Sequence, residues 1–437
     1  MPLNNPIEHE LLRIADLVDQ GRYNAAADST ISLLQEGCGD LALAARCIEL
    51  LLCVRRQDLV AKICKAELSH GCTDPEILAL AGRMALVLGN FEEARTHLLA
   101  AIEKRPQDCG LLQMLVQTRR YQSLDDDDVR RFEWAWRNPL FQEAHRELAG
   151  FAFGKACDDA GDYERAAAVL KEVNSWAALA AGWKQESWNG FVEVITRLRI
   201  PRLPAASTPE CIPVFIVGLP RSGTTLLADR LARSADVYNR GELNWLWLLW
   251  DRLARSQTWS SPAALDAAAQ TYLRHLLRDD PPRRCYIDKN PLNIRLLPLV
   301  DALFPNARII ICRREIRDTA LSIWSQRFPS QETDFAYDFD HIAAFAKGCG
   351  RIARNVVPRM RVPVLDLAYE DFVDDPRRIA DALARFLGIP TFDPFGPTSD
   401  HAATASVWQV RQPLFARSIG RWRHYAPHLP ELTSAFP

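Results

Sequence analysis

From the N-terminus to about Leu198, apolar residues recur at three- and four-residue spacing, broken by short Gly, Asp or Asn stretches and with very little β-branched alternation. That spacing puts one apolar stripe along each of a series of helices. A repeat lies inside the pattern. Gly21, Tyr23 and Ala26 recur as Gly89, Phe91 and Ala94, then as Gly161, Tyr163 and Ala166, the same G-x-[YF]-x-x-A each time. The first interval is 68 residues, twice 34, and the second is 72. This is the period of helix-turn-helix units. Gly turns the first helix back on the second, the aromatic wedges into the turn, and the small Ala lets the helices approach closely.

The array resembles tetratricopeptide repeats. The resemblance is best over Ile77 to Pro106, fair over Leu148 to Val173 and poor in the unit expected near Asp58; an irregular helical bundle is the alternative. Asp125 to Asp128 breaks the array and reads as a solvated acidic turn or helix start. His97 and His145 lie in helical patterns as ordinary surface or half-buried residues, and this half carries no catalytic constellation.

The pattern changes after Pro201, Pro204, Pro209 and Pro213, a connector that cannot continue a helix. Beyond it, β-branched runs alternate with helical stretches: 214–217, 285–287, 307–312 and 362–367. Strand followed by helix, several times over, predicts a parallel sheet flanked by helices. The fold class is therefore α/β of P-loop type, preceded by an all-α repeat domain. We place the repeat domain at 1–198, the linker at 199–212 and the α/β domain at 213–437.

Composition narrows the partners. In 437 residues, 53 Lys and Arg stand against 55 Asp and Glu, a net charge of -2. No global cationic field favours nucleic acid or anionic lipid, so any anion must be held locally. The 11 cysteines never form C-x-x-C and sit mostly in apolar runs, as reduced core residues of a cytoplasmic protein. No secretory signal or membrane span is legible.

The strand at 214–217 runs into Gly218-Leu219-Pro220-Arg221-Ser222-Gly223-Thr224-Thr225 and then into a helix. A buried strand, a Gly-bounded loop and a helix N-terminus converge unpaired N–H groups and the helix dipole on one point, which is an anion cradle. The spacing is that of a Walker A loop, but Thr224 stands where nucleotide hydrolases carry Lys. Hydroxyls and Arg221 replace that cation and suit a single terminal phosphate group. No metal site is expected.

Together with the segments at 307–322, 364–370 and 406–421, GLPRSGTTLL resembles sulfotransferases that use 3'-phosphoadenosine-5'-phosphosulfate (PAPS), most closely the tyrosylprotein branch, over about Pro213 to Leu429. The resemblance implies that Arg221, Ser222, Gly223, Thr224 and Thr225 contact the 5'-phosphate. It implies that Arg314 and Ser322, eight apart across a strand end and the next helix, hold the 3'-phosphate. A guanidinium and a hydroxyl in those places face one phosphate from two sides. Arg313, Arg317 and Asp318 read alternatively as a structural salt-bridge cluster. Tyr369 matches a residue near the adenine in the family, or is a Tyr at a sheet edge. Ser406 and Arg421 match phosphate-binding positions of the closing segment, Arg421 where relatives often carry Lys.

Sulfuryl transfer needs a base for the acceptor hydroxyl and a cation for charge on the bridging oxygen. It needs no metal, because the sulfuryl group carries less charge than a phosphoryl group. Glu242, in a Gly-Glu segment beside the loop, matches the family's base; capping the next helix is its other reading. Lys289 matches the Lys that stabilises the leaving phosphate, with Arg221 also catalytic. Asp288 is assigned to orienting Lys289, or to the base if Glu242 is not. The product is 3'-phosphoadenosine-5'-phosphate. A P-loop kinase and a non-catalytic nucleotide-binding scaffold are the competing readings. The repeat array beside a transferase points to a peptide or protein acceptor docked on its concave face. Trp245, Trp247, Trp250 and Trp324 leave an aromatic, lipid or sugar acceptor open, and the repeats have a homodimer interface as an alternative use.

Overall fold

The computed structural model describes residues 6–36, 41–204, 211–396 and 418–437. Among these residues the first 197 positions hold helices only. They are α1 Pro6–Asp19, α2 Tyr23–Glu36, α3 Leu41–Cys53, α4 Gln57–Ser69, α5 Pro75–Leu88, α6 Phe91–Lys104, α7 Cys109–Leu115, α8 Asp127–Arg137, α9 Glu143–Ala160, α10 Tyr163–Ala180 and α11 Gln185–Arg197. Gly21, Gly89 and Gly161 each end the first helix of a pair with φ of 75°, 84° and 83°. That left-handed backbone is open to glycine at no steric cost, so the repeat signature is a turn requirement. The unit that was poorly legible near Asp58 is also present, as the pair α3 and α4. Its turn is made by Arg55 at φ 59°, so the motif is absent while the conformation is kept.

The acidic run is a helix start with Asp125 and Asp127 exposed, but Asp128 turns inward. Asp126 accepts the Asp128 amide at the start of α8 and pairs with Arg119 at 2.7 Å. Asp128 is 2% exposed and takes Arg95, Arg119 and the Tyr121 hydroxyl. Flanking arginines make an inward carboxylate tolerable, because a buried charge must be paired. The break in the array is thus held by an ionic joint around the buried Asp128.

The later strands are β1 Ile212–Gly218, β2 Val237–Asn239, β3 Cys285–Asp288, β4 Arg308–Arg313 and β5 Val364–Ala368, in the order β2-β3-β1-β4-β5. Every pairing is parallel, with Val214 opposite Ile287 and Ile216 opposite Ile310. Side chains alternate between two buried faces. Val214, Ile216 and Ile310 pack with Leu227 and Leu231 of α12 (Thr224–Leu231) and with Ile379 and Leu383 of α19 (Pro376–Leu387). Phe215, Val217 and Ile309 face a core shared with α14 (Pro262–Leu277), α15 (Leu297–Leu303), α16 (Ile316–Trp324) and α17 (Phe339–Val356). The same apolar cluster continues into α9, α10 and α11 of the helical half. There Trp188 of α11 donates to Ala344 O of α17 at 3.1 Å. Further helices among the described residues are α13 Trp245–Ser256 and α18 Tyr369–Asp374, with short helices at Trp422–Tyr425 and Pro430–Ala435 near the C-terminus and three 3-10 turns between strands.

Seven described cysteines are buried, Cys72 and Cys211 are half-buried and Cys53 is exposed, none in a disulfide. Cys38 lies outside the described residues. Among the described residues no helix is long and apolar enough to cross a membrane.

Candidate active site

Parallel strands bring their carboxyl ends to one edge, and side chains that follow those ends meet there. The loop after β1, the Glu242 segment after β2, Lys289 after β3, Arg314 after β4 and Tyr369 after β5 all leave the same edge of the sheet.

The phosphate-type loop is shaped by its own backbone. Arg221 has φ 68° and Gly223 φ 97°, and successive residues of alternating hand turn their N–H groups inward as a nest. A Cβ on Gly223 would stand 2.5 Å from Tyr369 Cδ2, so the Tyr369 ring lies directly on the loop. Thr224 and Thr225 begin α12, Thr224 buried and Thr225 half-buried. The Ser222 hydroxyl donates to Leu219 O at 2.7 Å and is used within the loop.

Arginines converge on this loop. Arg221 Nε donates to Ser322 Oγ at 3.0 Å, and Arg314 Nη1 donates to Arg221 O at 3.2 Å. Arg314 also donates to Ser418 O and stacks 4.9 Å from the Tyr369 ring centroid. The Tyr369 hydroxyl is 2.9 Å from Ser418 Oγ. Burial, then the positive charges of Arg314 and Arg421, push the Arg221 guanidinium down to about 10. Arg314 Nε is buried with no hydrogen-bond partner among the described residues. Like charges gathered around an unsatisfied donor have the chemistry of a site for a polyanion.

Arg221, Arg314, Ser322 and Tyr369 are therefore brought together, with Ser322 bonded to Arg221 rather than directly to Arg314. Arg421 has another partner. Its Nη2 lies 2.6 Å from Asp158 Oδ1 at the end of α9, where the Tyr425 hydroxyl also donates. Ser406 lies outside the described residues. Arg313, Arg317 and Asp318 do not form one cluster. Arg313 pairs with Asp366 and Arg317 with Glu315, while Asp318 accepts the amides of Gly420 and Trp422. The Asp158 and Ser418 contacts were missed, because partners so far apart in the chain leave no spacing to detect.

On the other side of β1, Lys289 Nζ donates to Glu242 Oε1. The Lys289 side chain is 1% exposed and that of Glu242 47%, so a buried cation holds a carboxylate that also meets solvent. Burial depresses the Lys289 ammonium below its ordinary range, against the opposing pull of Glu242. Glu242 does not cap α13, whose N-cap position is Asn244. Asp288, assigned to orienting Lys289 or to the base, hydrogen-bonds to other partners. It is fully buried and accepts the Tyr272 hydroxyl at 2.6 Å, Asn293 Nδ2 at 2.9 Å and the Leu243 amide at 3.2 Å. It anchors the Glu242 segment through the next backbone amide.

The tryptophans divide. Trp324 is 4% exposed and stacks on Phe339 at 4.8 Å, a core contact. Trp245 stacks on His275 at 3.7 Å, while Trp247 and Trp250 pack with Phe191 of α11.

Residues 213–394 match the model of the sulfotransferase family. An Aquifex aeolicus protein named only as uncharacterized is 26% identical over 365 residues, 78% of this chain and 47% of that protein. Protein-tyrosine sulfotransferase 2 of Gallus gallus is 24% identical over 239 residues, 49% of this chain and 64% of its own length. The chain thus spans about half of the first relative and under two thirds of the second. Among solved structures, the sulfotransferase domain from the curacin biosynthetic pathway is 18% identical, with 53% of this chain and 99% of that one covered and a TM-score of 0.31.

Proposed function

We propose that the chain, whose residues 213–394 match the sulfotransferase-family model, transfers a sulfuryl group from PAPS to a hydroxyl acceptor. The observation that carries the reading is the convergence of Arg221 and Arg314 on the loop, with Arg314 Nε buried and unsatisfied. A second anion site distinguishes a 3'-phosphorylated donor from an ordinary nucleotide. Arg221 and the amides from Ser222 to Thr225 hold the 5' end, Arg314 and Ser322 hold the 3'-phosphate, and Tyr369 offers a ring to the base. Ser406 and Arg421 belong to the same set by family likeness. PAPS, when bound, supplies the sulfuryl group and a bisphosphate leaving group.

The chain's residues then divide the work. Glu242 takes the acceptor proton as the acceptor oxygen bonds to sulfur and the bond from sulfur to the bridging phosphate oxygen breaks. Lys289 and Arg221 meet the charge that develops on that oxygen, in a partly dry site where such contacts are strong. The Glu242–Lys289 bond aims the carboxylate before the acceptor arrives. With these cations in place the transfer runs without a metal.

We assign the acceptor to peptide tyrosine, because the matched Gallus gallus relative is named a protein-tyrosine sulfotransferase. The helical half at 1–198, joined through 199–212 to the transferase domain at 213–437, is the peptide's docking surface in this reading, in a cytoplasmic protein. Calorimetry tests the donor. Arg314→Ala should weaken adenosine 3',5'-bisphosphate roughly a hundredfold and adenosine 5'-phosphate by less than about threefold, the loss of one charge-assisted contact. Equal losses for the two ligands would refute the assignment.

A further inference from the structure

The Glu242 segment is fastened from outside its own domain. The repeat turn at Gly21 recurs 34 residues later at Arg55 and 34 residues after that at Gly89. All three have positive φ, and Arg55 is the residue with a side chain among them. A side chain in that backbone costs about 1–2 kcal/mol, so a contact made by the side chain is needed to keep it there.

That contact is with the proposed base's loop. Arg55 Nη1 donates to Arg240 O at 2.8 Å and Nη2 donates to Glu242 O. The guanidinium passes over Gly241, where a Cβ would stand 2.3 Å from Nη1, so the loop is built to admit it. Further bonds hold the same four residues from β3 and its end, among them that from the Arg240 amide to Ile287 O at 2.8 Å. Gly241 O accepts the Lys289 amide at 2.8 Å, and the Leu243 amide donates to Asp288. The backbone around Glu242 is thus pinned on one side by the sheet and on the other by a helical repeat.

We propose that Arg55 is a positioning residue for the transfer: a repeat-turn arginine that clamps the carbonyls of Arg240 and Glu242 and so fixes the reach of the Glu242 carboxylate. The proposal rests on Glu242 being the base. It also gives the helical half a part in the chemistry beyond docking.

Arg55→Gly is the sharpest variant, because it installs the residue found at this turn in the neighbouring units and relieves the backbone while deleting the clamp. With labelled PAPS and a Glu/Tyr copolymer as acceptor, kcat should fall at least about tenfold, as expected for a misplaced catalytic group. The KM for PAPS and the affinity for adenosine 3',5'-bisphosphate should stay within about twofold, and Tm within about 4 °C. Guanidinium chloride at low millimolar concentration should restore part of kcat in Arg55→Gly and none in the parent, and Arg55→Lys should fall between. Amide exchange of Gly241, Glu242 and Leu243 should quicken by at least about tenfold. Unchanged kcat, or kcat lost only in parallel with Tm and donor affinity, would overturn the positioning role. The exchange measurement needs no turnover. Faster exchange in a protein whose parent transfers no sulfuryl group would leave the clamp standing and defeat the functional reading; unaltered exchange would defeat the clamp.

Discussion

Arg421 reaches from the closing segment of the chain to Asp158 at the end of α9, Nη2 to Oδ1 at 2.6 Å, across 263 residues of sequence. The same carboxylate accepts the Tyr425 hydroxyl at 2.6 Å. Asp318 takes the amides of Gly420 and Trp422 on the other side of that segment. The closing segment is therefore fixed between the helical half and α16. Ser418, two residues before Gly420, contacts both Arg314 and Tyr369.

Asp158→Asn should loosen this whole connection. Burial pushes the Asp158 carboxyl up, but Arg421 and the Tyr425 hydroxyl outweigh it and hold the group below its usual range. A carboxylate depressed in the fold stabilises the protein above its unfolded value near 4 and loses that contribution as pH falls through the lower folded value. The variant should lose about 3 kcal/mol at neutral pH, the cost of stranding a largely buried partner. Its stability should also fall less steeply than the parent's below about pH 4. Denaturant melts of both proteins at pH 7 and pH 3 check the sign. A variant equally stable at pH 7 would show that the pair contributes nothing.

Asp288→Asn tests the opposite sign. Full burial pushes the Asp288 carboxyl up to about 7, against the lowering effect of the Tyr272 hydroxyl and the Leu243 amide. The folded protein then binds a proton that the unfolded chain releases between about pH 4 and 7, so this group's contribution falls as pH rises through that window. The difference in stability between parent and variant should shift in the variant's favour by at most about 1.4 kcal/mol per pH unit there, and stay flat above it. Melts from pH 4 to 8 measure it. A constant difference would mean that Asp288 is ionised throughout.

The contrast between what was legible and what was not follows from these pairs. Gly21, Gly89 and Gly161 announce helix turns because one backbone conformation excludes other residues cheaply. Arg55 hides the same turn, because its strain is offset by a contact 185 residues away that no local pattern records. Glu242 and Lys289 each stand next to a strand end, where an α/β sheet gathers its chemistry. Their direct bond, and the capture of Asp288 by Tyr272 and Leu243, depend on side-chain packing across α14 and β3. The helix start in the acidic run is legible, but the inward turn of Asp128 is not, because it depends on the incoming Arg95 and Arg119.

Gly223→Ala should separate donor binding from folding. The new methyl would meet the Tyr369 ring 2.5 Å away, and a residue with a side chain is strained at φ 97°. The ring must move off the loop, taking its stack on Arg314 and its bond to Ser418 with it. Affinity for adenosine 3',5'-bisphosphate should drop at least about tenfold, while stability falls by about 1–2 kcal/mol. Calorimetry alongside thermal melts checks both, and undiminished affinity would show that Tyr369 is not part of the donor site.

Lys289→Met should separate the charge at the transfer centre from the stability of the sheet edge. The side chain is buried and its ammonium is depressed by that burial, so an apolar side chain of similar length fits the same space without desolvation cost. Glu242 is half-exposed and regains water when its partner is lost, so no charge is stranded. Stability should therefore change by less than about 1 kcal/mol, or rise. Turnover should fall about a hundred- to a thousandfold, the loss expected when one preorganised donor to a developing negative charge is removed. KM for PAPS should move far less than kcat, because the charge on the bridging oxygen exists only as the bond breaks. Steady-state rates with labelled PAPS, set beside denaturant melts, give the comparison, and a variant that kept its kcat while losing donor affinity would place Lys289 in ground-state binding instead.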